Sequence, residues 1–381
     1  MMARHEVPAD FGFTPEHELL RDSARRFLEA RCPASEVRRL GEDPLGHDPK
    51  LWRDMAELGW LGLVLPEEHG GAGLGHLHLA LLLEEMGRVL LPSPFFGCLL
   101  AGIAIREGGS EAQRARWLPA LASGETLATL AFCEPTASWE PDAVEARAEP
   151  ADGGFVLRGR KTHVEGAASA ALVVAPFREP DGGIALFAVE LPAANARIER
   201  EIGVDATRRA ARIDFEGVRV GAGARLAGDG LGALRATLLR GWAALAAEMV
   251  GGADAVLEMT RRYAIVRKQF DRPIGSFQAV KYPLVDTLVG VELARTHALA
   301  AAAALDRSPE TAEPLARMAK ALASEVYPAA VRRGVQLHGG FGFTIDCDVQ
   351  LYFKRALASR GSLGDGVHHR RHLAENLFGD A

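Results

Sequence analysis

One segment of the chain combines cationic, amide and aromatic side chains: Arg267, Lys268, Gln269, Phe270, Arg272, Phe277 and Gln278. A guanidinium group carries planar donors that can meet phosphate oxygens bidentately. Glutamine and phenylalanine can hold an adenine by its edge and by its face. These residue types therefore favour a site for a nucleotide diphosphate. A second interpretation stays open, in which the segment is a solvated basic turn with two core phenylalanines.

Two long helical patterns flank this segment and must position it. Residues 231–266 contain no proline, and apolar residues recur there at helical spacing. Pro273 and Gly275 break the pattern, and a second helix is predicted over about 283–305, with Leu284, Leu288, Val291 and Leu299 facing inward. The segment is therefore predicted to be a corner between two helices.

The pattern R-x-Q-F-x-x-P-I-x-x-F-Q after a long helix resembles the acyl-CoA dehydrogenase family, whose flavoproteins oxidise acyl-CoA thioesters. The resemblance implies that Arg267, Phe270 and Gln278 contact the ADP part of FAD, usually the FAD held in the neighbouring subunit. Asp271 stands where the family usually has glycine, which puts a negative charge near the predicted diphosphate site.

A second match lies downstream, where Q-x-x-G-G-x-G-F occupies residues 336–343. Taken alone, this is a helix C-terminus followed by a turn, with glycines that let a backbone come close to a ligand. The resemblance implies that Gln336, Gly339 and Gly340 belong to a second loop that contacts FAD.

Two pieces of a predicted β-domain resemble the family's flavin-binding strands. Residues 131–135 are similar to A-x-T-E-P, which implies that Phe132 and Cys133 contact the isoalloxazine ring. Cys133 replaces a threonine, so a strong hydroxyl donor becomes a weak thiol donor. The A-G-S-D sequence that usually follows is absent.

The other piece, residues 159–167, is similar to G-x-K-x-W/F-V/I-T, and the resemblance implies flavin contacts for His163 and Glu165. His163 stands where an aromatic residue normally packs on the flavin, and it could stack, hydrogen-bond or titrate there. A structural or exposed histidine is the alternative interpretation.

Desaturation of a thioester requires a base for the α-proton, and a carboxylate held away from water suits that task. By resemblance Asp365 falls on the base position of a Y-E-G-T-like loop. Some relatives carry the base near the start of the long helix, but this chain has Gly241 there. The alternative for Asp365 is a turn aspartate between two glycines. The histidines at 368, 369 and 372 are expected at a solvated helix start, and no metal site is predicted.

Composition limits the remaining function classes. The chain has 381 residues, 48% of them hydrophobic, and its net charge of −6 argues against nonspecific nucleic-acid binding. Four scattered cysteines suggest neither a disulfide framework nor a zinc site. The first residues lack the apolar core of a signal peptide, and no apolar stretch of membrane-spanning length is seen. A cytoplasmic protein without membrane insertion is expected.

The predicted fold class is α+β, mostly α. Residues 1–126 are predicted as a helical domain, 127–228 as a middle β-barrel domain, and 229–381 as a four-helix bundle. Strands are expected at 127–134, 155–164, 171–176, 185–190, 212–215 and 218–220. The glycine-rich loop at 70–75 favours a structural turn over a phosphate cradle, because it lacks the required strand context.

The function implied by the resemblance is FAD-dependent α,β-dehydrogenation of an acyl-CoA, with electrons passed to an electron-transfer flavoprotein. A homodimer or homotetramer is expected, or a hetero-oligomer with a related subunit. Two alternatives stay open: a subunit that completes a partner's FAD site, and a flavin oxidase or monooxygenase of the same fold.

Overall fold

The computed structural model describes residues 11–193 and 195–379, and it is mostly helical with one large sheet, as predicted. The helices are α1 Pro15–Arg31, α2 Ala34–Glu42, α3 Pro49–Glu57, α4 His76–Arg88, α5 Phe95–Gly108, α6 Glu111–Ala122, α7 Gly230–Val266, α8 Gln278–Arg307, α9 Pro309–His338, α10 Val349–Gly361 and α11 Gly366–Phe378. The strands are β1 Ala128–Leu130, β2 Arg147–Ala151, β3 Gly154–Glu165, β4 Leu172–Arg178, β5 Ile184–Glu190, β6 Ala196–Glu201, β7 Ala210–Gly221, β8 Lys268–Gln269 and β9 Arg272–Pro273.

The large sheet has seven strands in the order β1-β4-β2-β3-β7-β6, with β5 paired to β4. Its interior is built on phenylalanine rings in edge-to-face contact: Phe177 lies 5.6 Å from Phe187 and 5.1 Å from Phe215. Such contacts add to the burial energy of large rings. These rings join β4, β5 and β7, and β7 pairs with β3, which carries two of the predicted flavin contacts.

The strand predictions needed three corrections. The turn expected at 216–217 is a bulge inside the single strand β7, where Gly217 has a φ of +83° and the register with β3 shifts. The first predicted strand is only three residues long. Strands β2 and β6 were missed because their charged, mostly exposed sequences carry little apolar alternation.

The start of the second long helix, predicted near residue 283, was also wrong. Helix α8 begins at Gln278 and contains Pro283, whereas α9 begins at Pro309 and contains Pro314 and Pro328. A proline inside a helix costs about 3 kcal/mol, but burial of a long alanine-rich face of α8 and α9 can offset that cost. Leu288 was expected to face inward and is 46% exposed.

The described chain divides into two compact units. The first consists of the described parts of Met1–Arg38, Gly75–Leu91 and Leu239–Ala381; within it α4 packs on α1 and α8, and α9 packs on α8, α10 and α11. The second consists of Arg39–Leu74 and Pro92–Leu238, and it holds the seven-stranded sheet with α5 against β1. The predicted three-domain boundaries lie in the connections between α6 and β1 and between β7 and α7.

By length and composition alone, α8 could cross a membrane, but 56% of its most apolar window is buried inside the protein. A core helix passes the same test, so this is weak evidence for a membrane span. The first ten residues, on which the signal-peptide prediction rests, lie outside the described part of the chain.

Candidate functional site

The predicted corner between α7 and α8 is a two-stranded hairpin made by β8 and β9. Its two loop residues, Phe270 and Asp271, have φ of +51° and +62°. Two left-handed residues in succession are typical of the turn that matches the twist of a hairpin. Aspartate tolerates this conformation better than most residues, so Asp271 can occupy a position where the family usually has glycine.

Phe270 is strained and exposed at the same time. A bulky residue rarely adopts a positive φ, and the Phe270 side chain is 87% exposed. Its ring meets Phe277 edge to face at 6.0 Å, and the Arg272 guanidinium lies 4.1 Å from the Phe277 ring centre. Phe270 is therefore no core residue, and a strained exposed ring fits a ligand contact better than a structural turn.

Arg267 follows the last residue of α7, and its backbone N–H donates to the Tyr263 carbonyl at 2.9 Å. Its side chain is exposed, and its guanidinium makes no hydrogen bond or ion pair with the described residues. The neighbouring cations Arg261 and Arg262 both pair with Glu258. Arg267 thus keeps its full set of donors available.

The glycine loop lies close to the same end of α7. The Tyr263 ring stacks on His338 at 4.4 Å, and its hydroxyl donates to the His338 carbonyl at 3.4 Å. Gly339 follows with φ +64° and ψ −142°, a conformation that is essentially restricted to glycine. Gln336, in the last turn of α9, and Gly340 on the loop are both exposed. The structure therefore brings the two sequence motifs together through Tyr263.

Phe132 and Cys133 lie just after β1 and are buried, and the Thr162 N–H donates to the Cys133 carbonyl at 2.8 Å. The Cys133 thiol lies 3.6 Å from the Glu134 carbonyl as a weak donor, and burial raises its pKa. This sulfur is therefore an unreactive thiol in the described chain, and Cys133 can serve a ligand chiefly through its backbone.

His163 lies in a β-bulge, since the register between β3 and β7 shifts between Lys161 and Val164. It is exposed with a φ of +53°, and its N–H donates to the Glu201 carboxylate at 2.8 Å. Glu165 is tied to Arg208 at 3.2 Å and is half-buried. Bulges often re-aim a side chain at a functional site, and here the bulge turns His163 outward.

A buried ion pair supports this part of the sheet. The Lys161 ammonium donates to Glu134 Oε1 at 2.6 Å, and the same carboxylate accepts the N–H groups of Glu145 and Ala146. Burial lowers the pKa of Lys161 to about 8, while the Glu134 charge opposes that shift. The pair ties the segment after Phe132 to β3.

Asp365 caps the N-terminus of α11. Its Oδ1 accepts the N–H groups of Val367 and His368 at 3.0 and 2.9 Å, whereas Oδ2 makes no hydrogen bond with the described residues. The His368 and Val367 N–H groups hold its pKa below the ordinary aspartate value, and the Arg360 and Lys320 charges add to that effect. Oδ1 therefore has a structural role as a helix cap, and Oδ2 is available to a ligand.

The loop before Asp365 is tied to two buried side chains. The Lys320 ammonium donates to the carbonyl of Gly364 at 2.8 Å, and His369 Nε2 lies 3.1 Å from the Leu363 carbonyl. Burial lowers the pKa of Lys320 to about 7 and that of His369 to about 2. His369 is therefore neutral and fully buried, which corrects the prediction of a solvated position for this histidine, whereas His368 and His372 are half-buried.

The glycine-rich loop near residue 70 is structural, as predicted. The N–H groups of Ala72 and Gly73 donate to the carbonyls of Gly62 and Leu65, both at 2.9 Å. A Cβ on Gly71 would lie 2.1 Å from the Leu65 carbonyl oxygen. These N–H groups are occupied and cannot cradle a phosphate.

Comparisons with known proteins agree over nearly the whole chain. Residues 14–125 match the family model "Acyl-CoA dehydrogenase, N-terminal domain", and residues 228–378 match "Acyl-CoA dehydrogenase, C-terminal domain". Acyl-CoA dehydrogenase IpdE2 of Mycolicibacterium smegmatis is 34% identical over 364 residues, which is 95% of this chain and 99% of that protein. The chain belongs to the acyl-CoA dehydrogenase family. Membership makes it an oxidoreductase and implies a flavin cofactor and an acyl-CoA substrate.

Two solved structures resemble the chain closely. One chain of the ChsE4–ChsE5 complex from Mycobacterium tuberculosis superposes with a TM-score of 0.90 at 26% identity, covering 98% of this chain and 100% of that one. One chain of a glycine-to-alanine variant of the Tcur3481–Tcur3483 steroid ACAD gives a TM-score of 0.87 at 32% identity, covering 97% and 98%.

Sequence reasoning did not single out three side chains that support the candidate site of this acyl-CoA dehydrogenase family member: Tyr263, Lys161 and Lys320. The sequence does mark Lys320, because Lys320 and Ser324 lie four residues apart in an alanine-rich helical run and so share one helix face. Nothing local marked Tyr263, whose importance comes from a stacking partner far along the chain.

Proposed function

We propose that the protein catalyses FAD-dependent α,β-dehydrogenation of an acyl-CoA thioester to the 2-enoyl-CoA, in the cytoplasm, with an electron-transfer flavoprotein as acceptor. Family membership along almost the full chain carries the proposal. The exposed corner and the glycine loop also fit FAD. Among the described residues, Arg267 offers an unpaired cation, Phe270 an exposed ring and Gly339 a close backbone approach.

The residues that would hold FAD divide by chemistry. Arg267 suits a diphosphate oxygen pair, and the N-terminus of the 30-residue helix α8 at Gln278 adds a favourable field for phosphate. Phe270 suits stacking on a planar ring. Phe132, Cys133 and His163 would contact the ring system, which when bound supplies the acceptor for the hydrogen leaving the β-carbon.

Asp365 would take the α-proton. Because Oδ1 is held by two backbone N–H groups, the carboxylate is fixed in orientation while Oδ2 can accept a proton. The lowered pKa makes Asp365 a weaker base than a desolvated carboxylate, so the reaction relies on positioning more than on base strength.

A second candidate function is that of a subunit that completes a partner's FAD site. It is favoured because both structural relatives described above are complexes of two differently named chains. The lowered pKa of Asp365 and the cysteine at 133 agree with reduced catalytic demand on this chain.

The visible absorption spectrum tests both functions. We expect the protein purified alone to be yellow and to bleach on anaerobic addition of one acyl-CoA from a panel that includes a steroid-side-chain thioester. A colourless protein that stays colourless with added FAD, but turns yellow when co-expressed with a related dehydrogenase chain, would favour the subunit function. Oxygen consumption with substrate would instead indicate oxidase or monooxygenase chemistry.

Replacing Arg267 with alanine is expected to weaken FAD retention about 10- to 100-fold, the effect of losing hydrogen bonds to a charged group. Flavin content after gel filtration and a titration with FAD measure this. Arg262→Ala is the matched control, since Arg262 lies near the end of α7 and pairs with Glu258 at 2.6 Å. Equal flavin retention in both variants would remove Arg267 from the FAD site.

The pH profile should report the lowered pKa of Asp365. The ordinary pKa of aspartate is about 4, and a base with a lowered pKa stays ionised at any pH above that value. Titration of Asp365 should therefore cause no change in kcat/KM between about pH 5 and pH 7. Initial rates with a dye acceptor measure the profile. An acid limb near pH 6 would point to a different base.

A further inference from the structure

The backbone that leads into Asp365 adopts a conformation that it would not hold by itself. Leu363 has a φ of +57° and Gly364 a φ of +92°. A left-handed conformation is unfavourable for leucine because its Cβ crowds the following carbonyl. At Gly364 an added Cβ would lie 2.4 Å from the His368 ring. Residues 362–365 therefore need support from outside the loop.

Lys320 on α9 supplies that support. Its ammonium donates to the carbonyl of Gly364 at 2.8 Å and to the carbonyl of Arg360 at 3.2 Å, so it joins the last turn of α10 to the residue before Asp365. Its third donor goes to Ser324 Oγ at 2.8 Å. The three donors of a lysine ammonium are thus all used.

The position of this charge is energetically costly. Lys320 is fully buried, and its helical neighbours Ala316, Ala319 and Ala323 are buried as well. A charge taken out of water without an opposite charge in direct contact is unfavourable, and an apolar side chain would fit such a face better. The lysine therefore maintains a specific backbone arrangement at a cost in stability.

Other charged and titratable groups around the loop do not replace it. His369 is neutral, and its Nε2 holds only the Leu363 carbonyl. Arg317 lies over the Trp242 ring at 4.2 Å and pairs with Glu313. Arg370 pairs with Glu325. Among the described residues, only the Lys320 side chain is hydrogen-bonded to both Arg360 and Gly364.

We propose that Lys320 is a positioning residue, which fixes the loop between α10 and α11 and thereby the carboxylate of Asp365. The claim that this loop positions a catalytic carboxylate rests on the proposed function, in which Asp365 takes the α-proton. The claim that Lys320 holds the loop is independent of that function, because it concerns only the backbone of residues 362–368.

Hydrogen exchange tests the loop directly. In Lys320→Met, which keeps the length of the side chain and removes its donors, amides of 362–368 should exchange at least about tenfold faster than in the unmodified protein. Lys50→Met, at an exposed position on α3, is the matched control and should leave these amides unchanged. Ser324→Ala removes one acceptor and should accelerate the same amides by a smaller factor. Unchanged exchange in both Lys320→Met and Ser324→Ala would overturn the proposal, and if Lys320→Met does not fold, Ser324→Ala decides alone.

A double-mutant cycle separates positioning from general destabilisation. Lys320→Met should lower the rate constant of flavin bleaching at saturating thioester by about 10- to 100-fold, as expected for a misplaced catalytic group. In an Asp365→Asn background the same substitution should cause no further loss, because the group it positions is gone. A full additional loss there would overturn the link to Asp365. If the unmodified protein does not bleach with any thioester, the proposed function fails, while the exchange result still decides whether Lys320 holds the loop.

Discussion

Asp365→Asn should retain bound flavin and lower the rate of its bleaching by acyl-CoA by about 10²- to 10⁴-fold, the usual contribution of a positioned general base. The asparagine side-chain oxygen can still accept the N–H groups of Val367 and His368, because asparagine caps helices about as well as aspartate. The substitution therefore removes the basic oxygen and keeps the loop. Anaerobic stopped-flow absorbance measures the effect.

Asp365→Ala separates the two roles of this carboxylate. It should lose the same activity and also about 1 kcal/mol of stability, because the helix cap disappears. Comparing the thermal midpoints of the two variants tests the cap. A fully active Asp365→Asn protein would contradict the base role and would point to a different base.

The sequence motifs predicted the candidate site because each is local. Arg267, Phe270 and Gln278 lie within one corner, and the predicted breaks at Pro273 and Gly275 follow from backbone chemistry alone. The proximity of the two motifs proposed to contact FAD could not be predicted in the same way. It depends on the Tyr263 ring and the His338 ring, which meet only after α7 and α9 have packed.

Backbone strain was equally hidden from the sequence. Phe270, His163 and Leu363 adopt positive φ values although their residue types do not favour them. Phe270 and His163 are themselves predicted site residues, and Leu363 lies two residues before Asp365. Tertiary contacts maintain such conformations, and no local propensity indicates them. At the loop before Asp365, Lys320 contacts the Gly364 carbonyl and His369 contacts the Leu363 carbonyl.

Helix and strand boundaries failed for a related reason. Pro283 was read as the start of the second helix, but α8 begins at Gln278 and continues through this proline. The opposite error occurred at β2 and β6, whose exposed charged residues gave no apolar signal although neighbouring strands pair with them. In both cases tertiary packing outweighed local preference.

Lys161→Met is expected to have the largest effect on stability. Lys161 is fully buried on β3 and its ammonium donates to Glu134 at 2.6 Å. Its removal leaves a buried carboxylate that, among the described residues, accepts only two backbone N–H groups. Removing one partner of such a pair typically costs about 3–5 kcal/mol. Denaturant titration followed by circular dichroism measures the change in the free energy of unfolding.

Arg158→Met on the same strand is the matched control, since Arg158 and Glu149 form an exposed pair at 3.7 Å. It should cost less than about 1 kcal/mol. Equal losses in the two variants would contradict a stabilising role for the buried pair. Adding Glu134→Gln to Lys161→Met should recover part of the loss, because the neutral amide removes the unpaired charge and its oxygen still accepts a backbone N–H.

The same pair links stability to flavin binding. Cys133 immediately precedes Glu134, and its carbonyl accepts the N–H of Thr162, the residue after Lys161. Loss of the ion pair therefore loosens the two chain segments proposed to contact the flavin ring. Lys161→Met should lower flavin content as well as stability, whereas Arg158→Met should leave flavin content unchanged. A Lys161→Met protein that is destabilised but keeps its flavin would show that the buried pair supports the sheet without shaping the flavin site.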